Sequence, residues 1–282
     1  MYGCSLGLEL HPDIRLPLAE QIRLYKQVGF DAFFAYWKKD LDIAELRRVA
    51  DEEGMRFMTL HAPTHKLCNM WEPTDLTQAA IDELLACLRA CAEHAVPMMV
   101  AHAYYGFGKH EPDEFGIKNF EIIVKEAERL GVTIAFENTE GEEYLAALLD
   151  HFHDNPHVGF CWDCGHEMCY THYDLLALHG DCLIATHLND NLGTKATDGT
   201  ITGRDDLHML PFDGIGDWED IVDRLNSCNF NDVLMFELKP KSQPGRHEND
   251  VYYRMDPVDY VTAAYVRCCR VAALKMRRGK KN

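Results

Sequence analysis

Imidazoles and carboxylates stand at the ends of six short apolar runs in this sequence: Leu60-His61, Ala101-His102, Phe136-Glu137, Trp162-Asp163, Thr186-His187 and Phe236-Glu237. Further donors follow closely, His166 shortly after Asp163, and Asp206 with His208 in a D-x-H pattern. A carboxylate buried without a partner is costly and takes up a proton instead. Three carboxylates set beside three imidazoles therefore call for cations. Oxygen and nitrogen donors with no obligatory thiolate suit Mn2+, Mg2+, Co2+, Fe2+ or Zn2+. The chemistry this set supports is the binding of a divalent cation.

The elements that must position these donors can be read from periodicity. Side chains alternate along a strand, so Thr59, Val100, Ala135, Cys161, Ala185 and Met235 share a face with the six donors two positions on. All are small or medium, which lets the six donors point into one mouth. Strand-length apolar runs at 3–10, 32–36, 56–60, 98–102, 133–137, 159–163, 184–188 and 233–238 alternate with helical patterns. The helical stretches are 18–28, 43–53, 76–94, 115–130, 142–152, 173–178, 218–226 and 258–276. Gly29, Gly54, Gly131 and Gly180 stand where a left-handed residue is expected past a helix C-terminus. Eight β/α units with no intervening linker predict one TIM-barrel domain, a (β/α)8 fold, over residues 1–282. Active sites of such barrels lie at the C-terminal ends of the strands, where the donors fall.

Composition bounds the function from another side. The chain has 28 Lys and Arg against 46 Asp and Glu, a net charge of −18, which opposes a general nucleic-acid coat. Its longest weakly charged stretch, 95–108, is interrupted by His102 and is too short for a membrane span. Residues 1–15 lack the pattern of a secretion signal. Eleven cysteines at no framework spacing predict reduced thiols and a cytoplasmic protein.

Beyond the ligand types, the segments Leu60-His61-Ala62-Pro63, Phe136-Glu137-Asn138-Thr139-Glu140-Gly141, Trp162-Asp163-Cys164-Gly165-His166, His187-Leu188-Asn189-Asp190, Asp206-Leu207-His208 and Phe236-Glu237 are specific in their combination. They resemble the xylose isomerase-like barrel superfamily, which includes sugar isomerases and epimerases and the endonuclease IV type of abasic-site nuclease. The resemblance to ketose 3-epimerases implies one metal held by Glu137, Asp163, His187 and Glu237. It further implies that one of Glu137 and Glu237 removes a carbon-bound proton and the other returns it on the opposite face, through a metal-bound enediolate. His166 matches a substrate-contacting histidine.

The nuclease branch is the alternative, with a multinuclear zinc site. Its nine ligands have counterparts in His61, His102, Glu137, Asp163, His166, His187, Asp206, His208 and Glu237. Charge weighs against it, since the basic clusters are confined to Lys38-Lys39 and residues 277–281. The expectation is a divalent-metal isomerase or epimerase acting on a small sugar or sugar phosphate, with homo-oligomers common in the superfamily. Around the mouth, Trp37 offers a stacking surface and Trp71 an apolar wall. Arg246, in the loop 241–256 expected to lack regular structure, is placed on a substrate lid. Glu9 and His11 also face the mouth, Glu9 as a group that orients a ligand or pairs with a basic residue rather than one that binds metal.

Overall fold

Alternation along the strands sorts the apolar residues into two populations, and that sorting builds a barrel. The computed structural model describes residues 4–108, 111–170, 173–194 and 200–279. The strands are β1 Leu6–Leu10, β2 Ala32–Tyr36, β3 Arg56–His61, β4 Met98–His102, β5 Thr133–Glu137, β6 Val158–Asp163, β7 Leu183–His187 and β8 Leu234–Phe236. They pair in parallel in the order β7-β6-β5-β4-β3-β2-β1-β8. The gap between β7 and β8 is bridged just beyond β7, where Leu188 N–H donates to Met235 O at 2.8 Å and Glu237 N–H to Leu188 O at 3.2 Å. The Thr186 hydroxyl accepts the Met235 N–H at 3.1 Å in place of a ladder bond. The sheet is thereby closed into a TIM barrel.

Inward-facing Val100, Ala135 and Cys161 form one apolar cluster inside the barrel, and Ala32, Phe34, Val233 and Met235 another. They make the floor on which the donors stand. Outward-facing residues pack against the helices α1 Leu18–Val28, α2 Ile43–Glu53, α3 Thr77–Glu93, α4 Glu114–Leu130, α5 Glu142–His151, α6 Cys164–Tyr170, α7 Leu175–His179, α8 Trp218–Ser227, α9 Asp250–Tyr253 and α10 Pro257–Gly279. Asp42, Asp113 and Asp217 cap α2, α4 and α8 through backbone N–H groups. No helix among the described residues is long and apolar enough to cross a membrane.

The predicted bounds of β2, β4, β5, α1 and α2 coincide with those observed. β1 begins at Leu6, and the predicted start at Gly3 lies outside the described residues. Gly54 and Gly131 end their helices at φ 64° and 67°, as expected. Gly180 does not: its φ is −66°, and the chain continues into a 3-10 turn, Gly180–Cys182. A Cβ there would meet Cys228 Sγ at 2.4 Å, so this glycine serves close approach. Two helices were not expected. α6 starts directly at the end of β6 with no loop to announce it, and α9 lies within the segment predicted to be irregular.

Candidate metal centre

Every donor predicted at a strand end is buried at the C-terminal mouth, at 8% exposure or less. The strands set the positions, and short-range bonds fix the rings. His61 Nδ1 lies 2.8 Å from Ala62 O, and His166 Nδ1 lies 2.8 Å from Asn138 O. A nitrogen beside a carbonyl carries the ring proton, which leaves Nε2 of both residues with a free lone pair. Asp163 accepts His166 N–H at 2.7 Å and both of its oxygens accept from the Asn189 amide, at 3.1 and 2.9 Å. Asn138 ties β5 to β6 by donating to Asp163 O and accepting Asp163 N–H.

The donor atoms converge. His187 Nδ1 is 3.1 Å from Glu137 Oε1 and 3.0 Å from Glu237 Oε2. His61 Nε2 and His102 Nε2 approach Glu137 Oε2 at 3.1 and 3.5 Å. Beside them, His208 Nε2 is 2.6 Å and His166 Nε2 3.5 Å from Asp206 Oδ2. Two groups emerge, Glu137 with Asp163, His187 and Glu237, and His166 with Asp206 and His208; His61 joins Glu137 and His187 in a third.

These donors fit a cation. His187 Nδ1, Glu137 Oε1 and Glu237 Oε2 lie close together, yet none has a hydrogen-bond partner of acceptable geometry among the described residues. Ligands around a tetrahedral ion at about 2.0–2.1 Å lie roughly 3.3 Å from one another and point at the ion rather than at each other. Orphaned buried atoms at such spacing are the signature of an ion position.

The electrostatics agree. Burial pushes Glu137 up, but the imidazoles, His187 foremost, hold its carboxyl well below the usual range. Glu237 is likewise pushed up by burial and drawn well down by His208 and His187. Burial lowers His187, but Glu137 and Glu237 hold it well above the ordinary histidine value. Asp163 is raised to about 6, first by burial. A centre of this kind exchanges protons for a cation.

Other expected residues lie elsewhere. Trp37 is half-buried against the outer core, and it is Tyr36, the inward residue of the pair, that reaches the centre by donating its hydroxyl to Glu237 Oε1 at 2.7 Å. Trp71 forms no wall at the mouth: its ring is buried against Phe120 and Tyr144 above Gly116, and its N–H donates to Ala103 O. Arg246, 9% exposed, is held between Asp205 and Glu248 at 3.4 and 3.5 Å. Its segment braces the chain carrying Asp206 and His208: Gln243 donates to Asp206 O and Asn249 to Leu207 O. The lid expectation gives way to a brace. Asn138, Asn189, Tyr36 and Lys239 were not singled out as site residues; for Tyr36, the inward alternation of Ala32, Phe34 and Tyr36 was an available signal.

Comparison with known proteins places the chain. Residues 22–254 match the family described as xylose isomerase-like TIM barrel. The chain belongs to this family. Among curated proteins, y4fM of Sinorhizobium fredii, itself uncharacterized, is 36% identical over 139 residues, 49% of this chain and 39% of that protein. This similarity thus spans well under half of the relative's length. Among solved structures, the IOLI protein with a binding zinc atom superposes at a TM-score of 0.74 and 17% identity, over 94% of this chain and 98% of that one. D-allulose 3-epimerase from Methylomonas sp., in complex with D-allulose, gives 0.68 and 14%, over 93% and 96%. At such identities the likeness shows a shared fold.

Proposed function

We propose that the protein is a divalent-metal-dependent isomerase or epimerase of a small sugar. The observation that carries this reading is the placement of Glu137 and Glu237, two buried carboxylates flanking one cation position at about equal distances from His187 Nδ1. Taking a proton off one face of a carbon and returning one to the opposite face calls for two such groups. Glu137, Asp163, His187 and Glu237 would hold the cation. When bound, it supplies Lewis-acid stabilisation of charge that develops on the substrate's oxygens.

The chain's own groups do the rest. Both glutamates are held ionised by the neighbouring imidazoles, so either can take the carbon-bound proton, and the other returns to the opposite face a proton it has first taken up from solvent. Tyr36 holds Glu237 Oε1, leaving Oε2 turned to His187. His166, anchored through Nδ1, presents Nε2 to Asp206 and to substrate oxygens. That neighbours of the same fold include a D-allulose 3-epimerase supports the substrate class.

The test is incubation of protein loaded with Mn2+, Co2+ or Zn2+ with neutral ketoses, followed by chromatography of the products. The C3 epimer or the corresponding aldose is expected. Absence of conversion with every metal would overturn the reading.

A second reading has its own observation. The nine donors, all buried but Asp206, lie in neighbouring groups joined by contacts of 3.5 Å or less, an arrangement that a multinuclear phosphodiesterase requires. Against it, the described part of the basic tail is spent within the fold: Arg277 pairs with Glu219, and Arg278 with Glu219 and Asp223. Lys280 and Lys281 lie outside the described residues. Cleavage of an abasic-site duplex by zinc-loaded protein would favour this second reading.

A further inference from the structure

The mouth of the barrel has a side that the cation donors do not use. Leu8 pairs with Phe236 across β1 and β8, which sets two inward-facing rows side by side. One runs Gly7, Glu9 and, past the strand, His11; the other runs Met235, Glu237 and Lys239. Gly7 confirms the direction, since a Cβ on it would strike the Met235 side chain at 2.5 Å. None of Glu9, His11 and Lys239 belongs to the donor groups found among the described residues.

Glu9 is the unusual member of this side. Its carboxylate is fully buried, and neither oxygen has a hydrogen-bond partner among the described residues. Its main chain is pinned by the Tyr25 hydroxyl, which donates to Glu9 O at 2.5 Å. His11 Nδ1 accepts Asp13 N–H at 3.1 Å, so its own proton sits on Nε2, 3.9 Å from Glu9 Oε1 and beyond hydrogen-bond reach. Lys239 is fixed through its N–H to His208 O, and its Nζ stands 3.8 Å from Glu237 Oε1. A buried carboxylate with both oxygens unbonded is costly in a fold that could hold an apolar residue there. Left so, the group takes up a proton; a ligand hydroxyl offers it the bond that the described residues do not.

We propose that Glu9, His11 and Lys239 form a hydroxyl-binding subsite beside the metal centre, which takes the part of a neutral polyhydroxylated substrate lying beyond the reacting carbons. The chemistry selects hydroxyls. A hydroxyl both donates and accepts, so it serves Glu9 whether the buried carboxyl is ionised or has taken up a proton, and it accepts from Lys239 and His11 Nε2–H. A phosphate or carboxylate group would bring further negative charge beside Glu9 and Glu237, with the Lys239 ammonium alone in compensation. The substrate is thus assigned as a free sugar at this end. The assignment rests on the sugar reading above, and deepens it by fixing how the remainder of the molecule is held.

The test is calorimetric binding of D-fructose, D-allulose, dihydroxyacetone and D-fructose 6-phosphate to manganese-loaded wild type, Glu9→Gln and Glu9→Ala, with metal content measured in parallel. Glu9→Ala should weaken the tighter-binding hexose about ten- to a hundredfold. Binding of the three-carbon ketose, which carries no hydroxyl beyond the reacting carbons, should hold within about twofold, and Glu9→Gln, which keeps an acceptor, should fall between. Metal content should match wild type, and the phosphorylated hexose should bind more weakly than the free one. The proposal is overturned if hexose affinity is unchanged in both variants, if hexose and triose weaken equally, or if metal is lost. Tighter binding of the phosphate ester overturns the neutral-substrate assignment. Wild type that binds no ketose at all overturns the sugar reading itself, a result distinct from any produced by the variants.

Discussion

Gly165 shows how closely single residues are set around the centre. A Cβ at this position would lie 1.8 Å from Asn189 Oδ1, so Gly165→Ala must displace the amide that donates to both oxygens of Asp163. We expect the variant to fold and to lose about tenfold or more in metal affinity, as outer-shell partners of ligands typically do; chelator competition measures this, and unchanged affinity would contradict it. Protonation acts on the same atoms. Burial opposes charge on His166 and His187, yet the surrounding carboxylates raise both, and Asp163 holds its proton to about 6. Cation binding must displace these protons, so affinity should rise with pH and fall more steeply below about pH 6, where Asp163 also protonates. A pH-independent affinity would contradict the assignment. Glu137, Asp163, His187 and Glu237 were legible as donors because ligand types ended apolar runs at the inward register, but as one set only through the family resemblance. Asn138 and Asn189 were not, since an asparagine in a strand-end loop is ordinary and only geometry reveals the clamp it makes.

At the scale of elements, the segment after β7 carries two of the donors, and Asp190 organises it. Its carboxylate accepts N–H bonds from Asn191, Phe212 and Gly216 and from the Trp218 indole, all at 2.9 Å. Its backbone pairs with Met209 in both directions at 2.9 Å, which places His208 over the mouth. Asp190→Asn keeps the shape and loses acceptors; it should cost about 2–4 kcal/mol in chemical denaturation, by loss of bonds to a charged group. It should also disturb Asp206 and His208 more than the cation position of Glu137, Asp163, His187 and Glu237, read as a raised KM with metal per chain unchanged. Loss of metal, or an unchanged KM, would count against this role. Most strands and the long helices were readable because burial imposes periods of 2 and 3.6 on their side chains. The brace formed by 241–256 was not, because its hold on the donor segment runs through backbone acceptors at Asp206 and Leu207 that carry no sequence signature.

Across the whole molecule, a net charge of −18 surrounds a centre that buries Glu9, Glu137, Asp163 and Glu237 together. A cation relieves that repulsion, so removing it should destabilise the barrel. With free metal about a thousandfold above its dissociation constant, linkage contributes roughly 4 kcal/mol, or on the order of ten degrees in melting temperature. Scanning calorimetry with and without chelator checks this, and an unchanged melting temperature would argue against a bound ion. The central claim, however, is proton transfer between two carboxylates. It is tested most directly by converting a ketose with metal-loaded protein in deuterated water and counting deuterium in the product. Because one glutamate removes the proton and the other returns a different one, the account predicts one solvent deuterium on carbon per product molecule. It also predicts a rate about 10²–10⁴-fold lower in Glu137→Gln and Glu237→Gln, measured at metal concentrations that fill the site in each variant. Product formed without deuterium, or at an undiminished rate in both variants, would contradict it.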